Sequence, residues 1–282
     1  MFLNQELNTK ILNRLFFFTV LLSALMVFLS CAEVPLTQRK SLHILPQSQM
    51  LTLSLQQYDE VLKKSKIYRD KIKVNMIQKV GKKTAAAAES FLIDSGLEEQ
   101  IKYYKWEFNL IEDDKTVNAW CMPGGKVAVY TGILPVTENE NGLAVVLGHE
   151  VAHAIARHGN ERMSQGLLVS MGGIALSIAL KEKPGRTKDM FMAAFGLGAS
   201  VGFLLPYSRI HEYEADRIGL SIMARAGYDP RGAIAFWERM REKGGETHPP
   251  EFLSTHPAPD SRIADMKVHI EEALPYYERF QK

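Results

Sequence analysis

The chain has 282 residues, 46% hydrophobic and 23% charged, enough for one large domain or two small ones and unlike a disordered chain. Lys and Arg number 34 against 32 Asp and Glu, so no charge surplus draws it onto nucleic acid. Two cysteines, Cys31 and Cys121, are too few for a disulfide scaffold or a cysteine-based zinc ribbon.

Residues 15–29, LFFFTVLLSALMVFL, carry no charge and follow Lys10 and Arg14. This is the order of a secretory signal, and the run is shorter than the ~20 residues of a membrane-spanning helix. Ser30-Cys31 at its end resembles a bacterial lipobox, with Phe28 standing where leucine is usual. The resemblance implies a signal ending at residue 30, lipid on Cys31 and, because Ala32 is not acidic, residence at the outer membrane facing the periplasm. The alternative is an uncleaved signal anchor. Residues 31–49, with Pro35 and Pro46, read as a tether, and residues 50–282 as the folded domain.

From Met50 the spacing is helical, with Leu51, Leu55, Tyr58, Val61 and Leu62 on one side. A second helix carries Ile72, Met76, Val80 and the run Ala85 to Ala88, and ends near Gly96. Tyr104, Trp106, Phe108 and Leu110 then alternate with polar residues, as in a half-buried strand. Residues 117–121 and 126–130 predict two further strands around the Pro123-Gly124-Gly125 turn. After Gly142 the chain reads as helix to its end. Helices, then a small antiparallel sheet, then a helical half make a mainly helical α+β fold, without βα alternation. Two Gly- and Ala-rich apolar stretches, 167–180 and 190–206, predict an inserted helical hairpin. It reads as packed over the active site, the alternative being a segment that dips into a membrane.

The chemistry concentrates at His149-Glu150-Val151-Ala152-His153, inside an apolar run without proline. Histidines at i and i+4 share one helix face and can hold one ion. Glu150, beside His149, can reach a water on that ion, and zinc lowers the pKa of such a water to ~7. Chance produces the pattern in roughly one or two chains per hundred of this length, so a third ligand has to be found. Residues 207–220, YSRIHEYEADRIGL, are a carboxylate-rich helix in which Glu212 and Asp216 share a face, while Glu214 points about 200° away. This assigns Glu212 as the third ligand, with Asp216 behind His149 accepting its ring N–H. His158, at the polar end of the first helix, reads as a bystander, and His248, between Thr247 and Pro249, as loop.

H-E-x-x-H, followed by S-R-x-x-E-x-E-A-D and a His-Pro segment before the last helix, resembles the zinc metalloendopeptidases of the HtpX/BepA and CAAX-prenyl-protease type. Within them the chain is most similar to short bacterial lipoproteins and mitochondrial Oma-type members. The resemblance covers about residues 60–275 and implies a gluzincin-like domain with one Zn²⁺ on His149, His153 and Glu212, oriented by Asp216. Asn118-Ala119-Trp120 is similar to the edge strand that gluzincins use to hold a substrate backbone; it also reads as an ordinary strand beside its turn. By the same comparison His256 either stabilises an oxyanion or fills the open position on zinc in a latent enzyme, and otherwise caps a loop. Arg262 reads as a partner for a nearby carboxylate.

These readings predict a zinc metalloendopeptidase of the cell envelope that hydrolyses misfolded or unassembled membrane and periplasmic proteins, with no nucleic acid involved. The rival is a non-proteolytic, zinc-containing assembly factor for outer-membrane proteins.

Overall fold

The computed structural model describes residues 31–200, 204–245, 250–257 and 260–279. The apolar leader at 15–29 and His248 lie outside them. The described chain begins with an antiparallel pair, β1 (Cys31–Glu33) and β2 (Lys40–Leu42). The segment whose prolines suggest a tether is therefore part of the fold. Val34 is 1% exposed and joins the hydrophobic core, and Ile44 N–H donates to Ser164 Oγ at 2.9 Å.

Helix α1 (Gln47–Lys64) buries Met50, Ser54 and Tyr58, an i, i+4, i+8 stripe. The expected stripe is displaced from this one, and Leu55 is left exposed. Helix α2 (Lys71–Asp94) is capped by Asp70, whose carboxylate accepts the Ile72 and Lys73 N–H groups. Its small residues allow close approach: a Cβ at Gly81 would stand 2.5 Å from the Phe108 ring.

The sheet has strand order β3-β5-β4, with β3 (Glu107–Ile111), β4 (Ala119–Met122) and β5 (Lys126–Tyr130). β4 and β5 form the antiparallel pair around the Pro-Gly-Gly turn, where Gly124 and Gly125 take φ of 89° and 80°. β3 joins β5 parallel, so this three-stranded sheet is mixed.

A short helix α3 (Leu134–Thr137) precedes α4 (Glu140–Ile155), capped by the Asn139 side chain. Every residue of α4 from Gly142 to Ile155 is buried, as expected for a helix that is apolar all round. Arg157 then takes the left-handed conformation, φ 59°, and the chain re-enters helix as α5 (His158–Ala179). Helices α6 (Gly185–Ala199), α7 (Leu205–Arg225), α8 (Gly232–Gly244), α9 (Glu251–Thr255) and α10 (Asp260–Glu278) follow.

The α4–α7 packing is the most extensive in the fold, with α2, β4 and α8 also against α4 and α10 against α7. Helices α5 and α6 lie against each other at Gly172 and Phe195. Their outward side chains Met171, Ile174, Ile178, Met190, Phe191 and Leu197 are exposed. Among the described residues, none of 167–200 lines either of the two cavities beside the site. Among the described residues no helix is long and apolar enough to cross a membrane.

Candidate metal centre

Helix α4 presents His149 and His153 to one side because one turn separates them, and α7 crosses at that level with Glu212. His149 Nε2 stands 3.1 Å from His153 Nε2 and 3.3 Å from Glu212 Oε2, and His153 Nε2 lies 3.3 Å from Glu212 Oε1. The loop after α9 brings His256 to the same point, its Nδ1 3.2 Å from His149 Nε2 and 3.0 Å from Glu212 Oε2. All four residues are buried and offer donor atoms within 4.8 Å of one another.

The far side of each imidazole is also occupied. His149 Nδ1 lies 3.0 Å from Asp216 Oδ1. Asp216 is clamped by Arg262, whose Nε and Nη2 each donate to it at 2.7 Å. The same guanidinium reaches Glu212 Oε2 at 3.0 Å and the Pro257 carbonyl at 2.6 Å. It lies 4.4 Å from the centre of the Trp237 ring, so one buried arginine ties α7 and α10 to the His256 loop. His153 Nδ1 is held at 2.9 Å by His158 Nδ1, and His158 Nε2 lies 3.1 Å from Glu214 Oε2.

These tautomers fit a metal ion. With the ring protons at Nδ1, directed to Asp216 and His158, the two Nε2 lone pairs would face each other at 3.1 Å, an arrangement that a cation between them could satisfy. Donor atoms about 2.1 Å from a tetrahedrally bound ion stand about 3.4 Å apart, close to the spacings found. Charge agrees: Glu150, Glu212 and Asp216 set three buried carboxylates against one buried guanidinium. Burial disfavours charge on His149, yet the acceptors Asp216 and Glu212 outweigh it and raise its pKa to about 9. Burial works upward on Glu212, but His153, His149 and His256 hold its carboxyl far below the usual range. The surplus of buried carboxylates suits the pocket to a cation.

Glu150 behaves differently. Burial raises its carboxyl, and His256 and His149 offset this only in part. Its Oε2 accepts the Cys121 N–H at 3.3 Å, while its buried Oε1 has no hydrogen-bond partner among the described residues and lies 3.4 Å from His256 Nε2.

Among the described residues, strand β4 has no strand partner on the side away from β5. There Ala119 N–H turns to Asn118 Oδ1 at 2.9 Å and Cys121 N–H to Glu150. A cavity of about 230 Å³ lies between Trp120, Cys121, His153 and Arg157. A larger one, about 950 Å³, opens on the other flank between Arg209, Glu212, Tyr213, Leu253 and Arg262.

The structure thus brings together His149, Glu150, His153, Glu212, Asp216, His256 and Arg262, and sets the Asn118–Trp120 strand beside them. Sequence reasoning missed His158 and Glu214. His158 is no bystander: the left-handed turn at Arg157 folds it back under His153, where it is 0% exposed. One signal was available. The first two turns of α5, His158 to Gln165, are polar before an apolar continuation, and five of these residues are buried, which points to polar partners inside the fold.

A buried His-His-Glu centre carried by two crossing helices, with a free carboxylate beside it and an open strand edge, defines a metallopeptidase type of site. The profile described as Peptidase family M48 matches residues 75–270, and the chain belongs to that family. It is 42% identical over 170 residues to the mitochondrial metalloendopeptidase OMA1 of Schizosaccharomyces pombe, covering 60% of this chain and 48% of that protein. Against OMA1 of Saccharomyces cerevisiae the identity is 37% over 204 residues, 69% of this chain and 54% of the relative. Against the beta-barrel assembly-enhancing protease of Escherichia coli it is 30% over 178 residues, 60% and 35%. The chain spans about half the length of the two yeast relatives.

Proposed function

We propose that the chain is a zinc metalloendopeptidase with His149, His153 and Glu212 as metal ligands and Glu150 as the general base. The observation that carries this reading is the pair of facing Nε2 atoms beside a buried carboxylate oxygen that accepts no hydrogen bond among the described residues. Two imidazoles and a carboxylate favour zinc, and a bound zinc supplies the Lewis acidity that polarises a scissile carbonyl and acidifies water. Glu150, with its affinity for protons raised by burial, takes the proton from the attacking water and passes it to the leaving nitrogen. Asp216 fixes the His149 tautomer, and Arg262 fixes Asp216. The edge of β4 at Asn118, Ala119 and Trp120 suits an extended peptide added by main-chain hydrogen bonds once the Ala119 and Cys121 N–H groups exchange their side-chain acceptors, Asn118 and Glu150, which favours unfolded stretches over a particular sequence.

The substrates on this reading are misfolded or unassembled membrane and periplasmic proteins. The support is the lipobox-like Ser30-Cys31 and the relatives' names, metalloendopeptidase and beta-barrel assembly-enhancing protease. The lipobox-like motif, with the non-acidic Ala32 after it, is the support for lipid on Cys31 and residence at the outer membrane facing the periplasm.

His256 Nδ1 occupies the fourth corner of the donor set, where water or substrate has to enter. This favours a latent resting state in which His256 is an exchangeable ligand. It also keeps open the second reading, a zinc-containing assembly factor that does not cleave.

The test is degradation of casein by wild type, Glu150→Gln and His256→Ala, with zinc quantified in each. The expected outcome is one zinc in wild type and Glu150→Gln, no cleavage by Glu150→Gln, and faster cleavage by His256→Ala than by wild type. Zinc in all three with cleavage by none supports the assembly factor. Absence of zinc from wild type overturns the site.

A further inference from the structure

Behind His153 runs a line of contacts that the hydrolytic reading leaves unused. The turn between β1 and β2, closed by Val34 N–H to Arg39 O and Gln38 N–H to Val34 O at 2.9 Å each, carries Thr37 and Arg39 inward. Thr37 Oγ1 donates to Glu214 Oε1 at 2.7 Å. Arg39 donates to Glu214 through Nε and Nη2 at 2.9 Å each, and to Glu161 through Nη1 and Nη2 at 2.7 Å each. Glu214 then meets His158, and His158 meets His153.

We propose that Thr37, Arg39, Glu214 and His158 are positioning residues for His153, so that the strap at residues 34–42 sets how tightly the centre holds its metal; this rests on the reading of the centre given above. The two metal-facing imidazoles are backed differently. His149 reaches a carboxylate, Asp216, directly. His153 reaches its carboxylate, Glu214, only through a second imidazole. Proton placement makes the line directional. A ligating Nε2 on His153 requires the proton on Nδ1, which donates to His158 Nδ1; the His158 proton must then sit on Nε2 and donate to Glu214. A carboxylate accepts about four hydrogen bonds, and Glu214 receives Thr37 Oγ1, Arg39 Nε, Arg39 Nη2 and His158 Nε2. It has no vacancy through which to rotate.

Two further features hold the line in place. The His158 ring stacks on His211 with centroids 4.4 Å apart, and His211 Nε2 lies 2.9 Å from Glu161 Oε2. Leu36 and Gln38 adopt φ of 68° and 55°, a conformation that side chains avoid and that persists only where the surroundings impose it. The turn accepts it to aim Thr37 and Arg39 the same way.

The test uses the full-length chain in detergent, with zinc affinity measured by chelator competition and the unfolding midpoint measured on the metal-free form. Replacing the partner of a ligating histidine typically weakens metal binding by about 10- to 100-fold. That range is expected for His158→Phe, which keeps the stack on His211. Arg39→Lys and Thr37→Val are expected to lose several-fold, and Arg39→Lys to add nothing on the His158→Phe background, because the line is already cut. Unchanged zinc affinity in His158→Phe, or a full additional loss in the double variant, overturns the proposal. A midpoint lowered in the metal-free form with zinc affinity untouched assigns these residues to stability alone and also overturns it. Thr37→Val removes a single hydroxyl and keeps the test decisive should the others fail to fold: wild-type affinity there refutes the line. Zinc bound by wild type and His158→Phe alike defeats the relay only, whereas zinc bound by neither defeats the centre itself.

Discussion

Gly219→Ala tests what sets the spacing of the ligands. Glu212, Asp216 and Gly219 lie on one stripe of α7, at i, i+4 and i+7, and Gly219 crosses α4 at Gly148, the residue before His149. A Cβ on Gly219 would stand 3.0 Å from Gly148 C and 3.0 Å from His149 N. Ordinary contact begins at 3.4 Å, so α7 has to retreat by a few tenths of an ångström, up to about 0.4 Å. The obstacle is backbone and cannot rotate aside. Metal–ligand distances tolerate only about 0.2 Å, so the retreat exceeds what a His-His-Glu site absorbs, and zinc affinity should fall at least about tenfold. The fold should lose much less. Overpacking costs about 1–3 kcal/mol, and replacing a helical glycine by alanine returns about 1 kcal/mol. The assay pairs chelator competition for zinc with chemical unfolding of the metal-free protein. Gly166→Ala, where nothing lies within 4 Å, is the control and should match or slightly exceed wild-type stability. Wild-type zinc affinity in Gly219→Ala would refute the idea that this glycine crossing sets the ligand spacing.

Arg262→Met leaves Asp216 and Glu212 without their buried guanidinium, and breaking such a pair costs about 3–5 kcal/mol; equilibrium unfolding of the metal-free protein measures this, and a loss under about 1 kcal/mol would count against the clamp. Acid should act on the ion cluster behind the centre. Burial pushes Glu161 and Glu214 upward, but Arg39 with His211, and His158 with Arg39, outweigh it and lower each from an ordinary 4.5 to about 2. A carboxyl lowered in the folded state stabilises above its unfolded pKa, and that contribution is lost as pH falls through the folded value. Stability of the metal-free protein should therefore drop between about pH 4.5 and pH 2, and a flat unfolding midpoint across that window would contradict the pairing.

The buried cluster of candidate ligands was legible because it depends on one period. His149 and His153, and separately Glu212 and Asp216, need only four-residue spacing on a helix, and each helix announces itself, one by an apolar run and the other by its carboxylates. The missing pieces depend on events that no period encodes. His158 is five residues beyond His153, a spacing that turns it away from the ligand face on an unbroken helix; the left-handed Arg157 reverses this within one residue. β3 pairs with β5 parallel, where an antiparallel meander is the simplest reading of three short strands. Arg39 meets Glu161 and Glu214 across 122 and 175 residues, in a segment whose prolines favour an extended tether. Even so, a constraint was present in the sequence. Glu214 follows Glu212 by two residues on α7, so it must face away from the metal, and a second carboxylate in a buried helix cannot be left without donors. The chain had to supply a cation and a hydrogen-bond donor on that side, and Arg39 and Thr37 are what it supplies. The acidic richness of α7 thus has two causes on opposite faces: the Glu212 and Asp216 pair faces the candidate metal centre, and Glu214 anchors the strap at Thr37 and Arg39 to the helices that bear the cluster.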